Sequence, residues 1–560
     1  MAGFVGRRRE LTALGQVLSE VQEQVGGAQP GKCLIIRGRR RIGKSALVEE
    51  FIDRHHVPSV FYTAEIGFGG EPLREFSETV RSSGLPEADV FGEAAPGNWA
   101  AAFRQLAGIL PDDKASVIVI DELPYLMDSS GAFESVLQRA WDRELSRKPV
   151  LLILIGSDLS MMEALTSYGR PFHQRGAEMT VRPLNPADVS AMAGLSAADA
   201  FDAALITGGL PIICARWKNG EDTRSFLTRE LANPVSPLVV SAQLSLSAEF
   251  PDQVQARAVL AAIGTGERTF TNIARAAGGI AHSTLTRATD LLISKGVVAG
   301  DLPISLAPSK ERRYRITDTY LRFWLAFLAP HLAELDRMRS DLTLDRIFRS
   351  WTSWRGRAIE PLIREALARV LPAQGIPAAP AIGGYWTRSN DVEIDIVGAD
   401  REPVARQLLF LGSVKWLETA PFDDRDLVEL QRHRDRVTSE PVPLIAISRS
   451  GTATNRADAA FGPEGLLEAW LLSRVPRRAT TAGPVSQREL GGEGNGGRVV
   501  NGHRQPDRLT DFAGRAKREA VAGLWRTLGG WAVAGCKFPL CTCRAPADCG
   551  HPIDIPNPSP

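Results

Sequence analysis

The stretch Gly38-Arg39-Arg40-Arg41-Ile42-Gly43-Lys44-Ser45 carries the residue types that a nucleoside triphosphate needs, at the spacing it needs. Its two glycines let backbone N–H groups turn inward around phosphate oxygens. Lys44 brings a positive charge to the β and γ phosphates, and the Ser45 hydroxyl is a ligand type for Mg²⁺. The loop follows the apolar run Cys33-Leu34-Ile35-Ile36 and opens a helical pattern from Lys44 to Arg54. A helix N-terminus at that point adds its own attraction for anions. ATP and Mg²⁺ are the ligands expected of this order of strand, loop and helix.

A second run, Val117-Ile118-Val119-Ile120-Asp121-Glu122, is an apolar strand ending in two adjacent carboxylates. Read alone it is an ordinary strand end with solvated acids. Beside the loop, Asp121 becomes a holder of Mg²⁺ through water and Glu122 the base that polarises the attacking water. A further predicted strand, residues 59–66, falls between the two motifs in sequence. The loop strand and the Asp-Glu strand are then not neighbours in the chain, as in ATPases that keep a catalytic glutamate. Residues 150–157 form another strand, ending in Gly156-Ser157-Asp158. There Ser157 is either a sensor of the γ-phosphate or part of a plain strand-to-helix turn.

These residues need a scaffold, and 560 residues are too many for one core. Residues 1–185 alternate short β-branched runs with helical stretches, which predicts a parallel sheet covered on both faces. Residues 186–254 read as helical, broken by Gly208-Gly209-Leu210-Pro211; residues 255–330 give three short helices, a strand-turn-strand over residues 303–317 and an aromatic-rich helix. Residues 351–472 are a second α/β segment, with a helix expected over 355–370. Beyond about 475 Gly, Arg, Pro and Ser dominate and periodicity fades, so 475–560 reads as a disordered tail. Its Cys536, Cys541, Cys543, Cys549 and His551 lack the paired Cys-x-x-Cys turn of strong zinc sites.

Basic and acidic residues number 66 and 65, so any nucleic-acid surface must be a local patch. The longest apolar runs are too short to span a bilayer and the N-terminus lacks a secretory pattern. Cys33 and Cys214 sit in apolar stretches as buried thiols. A reducing, cytoplasmic setting away from membranes is expected.

Phe4-Val5-Gly6-Arg7-Arg8-Arg9-Glu10-Leu11, the phosphate loop, Val119-Ile120-Asp121-Glu122, Gly156-Ser157 and Tyr168-Gly169-Arg170 together resemble the archaeal-type ATPase family of the AAA+/STAND group. The resemblance runs in order from residue 4 to about 330. It implies that Phe4, Val5, Gly6 and Arg7 lie along the adenine, that Gly208–Pro211 is the Gly-x-Pro element of a helical lid with Pro211 near nucleotide, and that Arg170 is a trigger arginine. It also implies a slow molecular switch, with a homo-oligomer where a neighbour's arginine completes the site.

Residues 271–277, the Gly278-Gly279 turn and residues 283–295 read as a helix-turn-helix, with Lys310, Arg312, Arg313 and Arg315 on a wing. Ser283, Thr284, Thr286 and Arg287 stand where a recognition helix enters the major groove of double-stranded DNA. The equal alternative is a winged helix packed on the nucleotide domain. In Val392–Val397, period two puts Glu393 and Asp395 on one face; Ser413 and Lys415 share a face of the next strand, and Glu360 lies on the preceding helix. This arrangement resembles the PD-(D/E)xK nuclease fold. Ser413 stands where that pattern has an acid and is a poor ligand for a hard cation, so a degenerate nuclease is expected. The reading is thus an α/β P-loop NTPase with a catalytic glutamate, a helical lid, a winged helix and a restriction-endonuclease-like domain: an ATP-hydrolysing switch. An ATP-gated nuclease and a nucleotide-bound scaffold are the alternatives.

Overall fold

A computed structural model describes residues 4–65, 72–129, 131–170, 172–250 and 253–471, all within one unit. The tail from 475, with its cysteines, lies outside the described residues.

Strands β1 (Lys32–Arg37), β2 (Ser59–Thr63), β3 (Ser116–Asp121), β4 (Val150–Gly156) and β5 (Ala177–Thr180) form one sheet in the order β2-β3-β4-β1-β5. Every pairing is parallel. Alternation along the strands sends Leu34, Ile36, Val117, Val119, Leu151 and Ile153 to one core. Cys33, Ile35, Ile118, Ile120, Leu152 and Leu154 go to the other. Both faces are covered, which is why these strands read as unbroken apolar runs. β4 lies between β1 and β3, so the phosphate loop and the Asp-Glu end are separated by one strand, and Ser157 directly follows the end of that strand. β5 gives no sequence signal because Ala177-Glu178-Met179-Thr180 is a largely exposed edge.

Helix Pro186–Ala193 starts at a capping box between Asn185 and Asp188. Helix Ala197–Thr207 ends at Gly208 and Gly209, with φ of 61° and 64°. A Cβ at Gly209 would lie 2.0 Å from the Leu184 carbonyl oxygen, so only glycine fits. Further helices Thr223–Leu231 and Pro237–Glu249 complete this segment.

Helices Val254–Gly264, Phe270–Ala276 and His282–Ser294 precede an antiparallel pair, β6 (Val298–Asp301) with β7 (Arg313–Ile316). The strand-turn-strand expected over 303–317 is therefore corrected at its first strand. Val298, opposite Ile316, is buried and pairs, whereas the chain after Pro303 leaves the hairpin to bridge Ser305 to Val404. The aromatic helix Thr319–Phe327 buries Tyr320, Phe323 and Trp324, and the Trp324 indole donates to the Val239 carbonyl at 2.8 Å. It is a core element, as expected.

A helix over Ser340–Val370 begins well before the expected Arg355 and runs across the expected boundary at 351. Its first half packs on the helical segment, where Arg224 stacks 4.0 Å from the Phe348 ring centroid. Strands β8 (Ala381–Trp386), β9 (Glu393–Ala399), β10 (Leu408–Lys415), β11 (Leu444–Ser448) and β12 (Ala459–Phe461) follow in the order β12-β11-β10-β9-β8. β8, β9 and β10 are antiparallel neighbours; β10, β11 and β12 are parallel. Helix Asp424–Val437 makes the crossover from β10 to β11. Among the described residues no single helix is long and apolar enough to cross a membrane.

Candidate functional site

β1 ends at Arg37 and the helix opens at Lys44, leaving Gly38–Gly43 as the loop. A Cβ at Gly38 would stand 2.7 Å from the Val181 carbonyl oxygen, and Gly43 has φ 84°. Both positions therefore demand glycine. Lys44 is buried, and its Nζ donates to the carbonyls of Gly38 at 2.9 Å and Arg39 at 3.2 Å. Burial pulls its pKa below the ordinary lysine value, against the opposing pull of Glu122 and Asp121.

Across β4 from the loop, the Ser45 hydroxyl donates to Asp121 Oδ2 at 2.5 Å. Asp121 Oδ1 accepts the Glu122 backbone N–H at 2.8 Å. Ser157, at the end of β4, donates through Oγ to Glu122 Oε2 at 2.8 Å. Glu122 takes φ 52°, the left-handed region, which costs a non-glycine residue about 1–2 kcal/mol. This backbone turn directs the Glu122 side chain to Ser157 while Asp121 reaches Ser45. The sheet order thus joins Ser45, Asp121, Glu122 and Ser157 in one chain of contacts. A hydroxyl and a carboxylate oxygen in contact are the hard donors that suit Mg²⁺, a cation usually held by one or two protein ligands plus substrate phosphates.

The three loop arginines point to different partners. Arg40 donates to the Tyr125 hydroxyl at 2.8 Å. Arg41 is exposed and adopts φ 64°. Arg39 reaches Asp318 Oδ2 at 2.9 Å and the Gly296 carbonyl at 2.8 Å. Asp318 caps the aromatic helix, with its Oδ1 accepting the Leu321 N–H at 2.8 Å, and Gly296 follows helix His282–Ser294. The phosphate loop is therefore pinned to the helix–hairpin unit. Nothing in the sequence pairs Arg39 with a residue 279 positions away.

Phe4 packs on the core beside the sheet, and Gly6 (φ 80°) lies so close to Asp188 that a Cβ would be 2.8 Å from its carboxyl. Arg7 is buried, donating to the Ile42 carbonyl at 2.8 Å and to the Arg182 carbonyl. Its guanidinium thus braces the loop from behind. Val5 is half-buried between them. Pro211 approaches the loop at Gly43, where a Cβ would be 3.5 Å from its ring. Arg170 stands apart from this cluster, tied to Glu134 Oε2 at 2.5 Å.

In the C-terminal segment Glu360, Glu393 and Asp395 line one cleft. Ser413 Oγ and the Val414 N–H donate to Asp395 Oδ2 at 3.2 and 2.7 Å. Lys415 pairs with Asp426 at 2.9 Å. Of the four basic residues expected on a wing, Arg313 pairs with Glu393 at 2.6 Å and Arg315 with Asp301, on the neighbouring strand, at 2.5 Å.

Residues 4–202 match a family described as an ATPase domain predominantly from Archaea. Residues 324–427 match one described as Archaea bacterial proteins of unknown function. The first of these matches supports a P-loop ATPase domain. An uncharacterised protein of Methanocaldococcus jannaschii is 26% identical over 437 residues, 77% of this chain and 90% of its own length. Among solved structures, the Walker-type ATPase of Pyrococcus abyssi overlaps 57% of this chain and 96% of its own, at 17% identity and a TM-score of 0.42. The ORC2 protein of Aeropyrum pernix, solved as ADPNP-ADP complexes, overlaps 63% and 98% at 12% identity, with a TM-score of 0.39.

Proposed function

We propose that this protein is an ATP-hydrolysing switch of the AAA+/STAND kind, in which the phosphate loop moves a winged helix through Arg39. Residues 38–45 hold the triphosphate, and Ser45 and Asp121 would hold Mg²⁺, which neutralises phosphate charge when bound. Glu122, oriented by Ser157, takes the proton from the attacking water. Pro211 belongs to a helical lid over the loop, Phe4–Arg7 form its adenine edge, and Arg170 is held by Glu134 as a trigger arginine or, in a homo-oligomer, as a contact to the next subunit.

The observation that carries the proposal is the Arg39 bridge to Asp318 and Gly296. Arg39 also offers its carbonyl to Lys44. When Lys44 transfers to phosphate, the loop residue that releases it is the one fastened to the winged helix. Such a link transmits a loop change as a domain movement, because each state of the loop favours one position of the arginine. Fluorescence energy transfer between labels on the ATPase sheet and on helix His282–Ser294 is expected to change with ATP. Arg39→Ala should remove that change while ATP affinity stays within about fivefold. A full ATP-dependent change in Arg39→Ala would refute the coupling route.

The C-terminal segment fits a degenerate PD-(D/E)xK domain: its helix, three antiparallel strands, crossover helix and parallel strand follow that fold's order. Its lysine is paired with Asp426, and Ser413 stands where the second acid would be. A second reading, DNA contact, rests on the exposed Ser283, Thr286, Arg287, Lys310 and Arg312. It predicts a salt-dependent mobility shift with duplex DNA that Arg287→Ala weakens by tenfold or more. A shift identical in the variant would remove that helix from the interface.

A further inference from the structure

Between the β6–β7 hairpin, the aromatic helix, helix Ser340–Val370 and strand β9 lies a cleft of about 60 Å³. Six arginines line it (Arg268, Arg313, Arg315, Arg322, Arg357 and Arg364), against Asp301, Glu360, Glu393 and Asp395. The carboxylates are already engaged. Glu393 takes Arg313 at 2.6 Å and Arg268 at 3.6 Å; Glu360 takes Arg364 at 2.8 Å; Asp301 takes Arg315 at 2.5 Å. Asp395 is satisfied by Ser413 and Val414 N–H donors. Among the described residues, neither Arg322 nor Arg357 has a carboxylate within ion-pair distance. Arg322 makes one long bond, at 3.3 Å, to the Arg357 carbonyl.

We infer that this cleft binds a phosphate monoester, with Arg322 at its base and Arg357 at its mouth as the anion's principal partners. The two uncompensated guanidiniums match the two charges of such a group, and arginine forks match its oxygens. A buried water needs roughly 10–15 Å³ of such space, so the cleft has room for about four atoms of that size, the scale of a phosphate. Burial, together with Arg315, Arg357 and Arg268 as like-charged neighbours, lowers Arg322 to about 10, outweighing the pull of Glu360. Burial also raises the Glu360 carboxyl to about 7, which reduces the negative charge facing the ligand. Both effects favour an incoming anion. The carboxylates here face guanidinium and N–H donors, so the unfilled demand of the cleft is for negative charge. The phosphate is either that of a small nucleotide or the 5′ end of a nucleic acid strand.

The test uses the full chain carrying Lys44→Ala, so that the phosphate loop does not contribute. Titration calorimetry with inorganic phosphate, a nucleoside 5′-monophosphate, and 5′-phosphorylated or 5′-hydroxyl oligonucleotides is expected to show one phosphate-dependent site. Adding Arg322→Gln or Arg357→Gln should weaken it tenfold or more; Arg357 is exposed, so its variant keeps the test open if loss of Arg322 impairs folding. Monophosphate binding alone assigns the small-molecule source, whereas preference for the phosphorylated over the hydroxyl oligonucleotide assigns the strand end. Absence of phosphate binding, or equal binding in the Arg357→Gln variant, would overturn the inference.

Discussion

Glu122→Gln is expected to slow ATP hydrolysis by about 10²–10⁴-fold, the usual loss of a general base, with ATP affinity changed only a few-fold. The reason is geometric. Glu122 sits beyond the residues proposed to hold phosphate and metal, on a left-handed turn that places its carboxylate 2.8 Å from Ser157 Oγ. Glutamine keeps that hydrogen bond and the turn but cannot accept a proton. Lys44, Ser45 and Asp121 are untouched, so nucleotide binding is retained. Single-turnover hydrolysis measured beside equilibrium nucleotide binding separates the two effects. An unchanged hydrolysis rate in this variant would remove Glu122 from the mechanism, and no hydrolysis in the parent protein under any ligand condition would leave the scaffold reading standing.

Asp202→Ala is expected to destabilise the protein by about 3–5 kcal/mol, the range for stripping one partner from a buried ion pair. Asp202 lies on helix Ala197–Thr207 and is buried with Arg355 of helix Ser340–Val370. Arg355 donates to Asp202 at 2.7 Å and to the Trp416 carbonyl at 3.0 Å, and the Trp416 indole donates to Asp202 at 3.1 Å. Arg449 approaches the same carboxylate at 3.3 Å. Burial raises the Asp202 pKa while Arg355, Arg449 and the Trp416 indole lower it. The charged pair therefore contributes little net stability, whereas removing the acid alone leaves the buried Arg355 with only the half-exposed Glu418 as a carboxylate partner and Arg449 with only Asp199. Urea unfolding measures the loss. A shift below about 1 kcal/mol would mean that water or Glu418, 2.8 Å from Arg355, compensates the arginine. The same cluster fastens helix Ala197–Thr207 to the C-terminal sheet.

The central strands were legible because both faces of the ATPase sheet are buried. β3, Ser116–Asp121, covers the apolar run that begins at Val117. β5 was not legible because an exposed edge strand has no apolar pattern to display. The start of helix Ser340–Val370 was missed because its first half packs on the helical segment, across the domain boundary expected near 351. The first hairpin strand differs from the expected one because pairing with Ile316, a nonlocal choice, selects Val298. The loop between β1 and the helix from Lys44 could be placed because its signal is local: glycines, lysine and serine fall within eight consecutive residues. The partners of its arginines could not.

The sequence by itself determined which residues are available to hold a triphosphate and polarise water, since consecutive residues on one strand–loop–helix share a fixed local geometry. Only the tertiary structure decided what surrounds them. The strand order brought Ser157 between the loop and Glu122, and packing across 279 residues bound Arg39 to Asp318. Folding of the hairpin onto β9 turned Arg313 from a wing base into the partner of Glu393. Contacts of that range depend on how whole elements pack, because spacing along the chain does not specify distance in space.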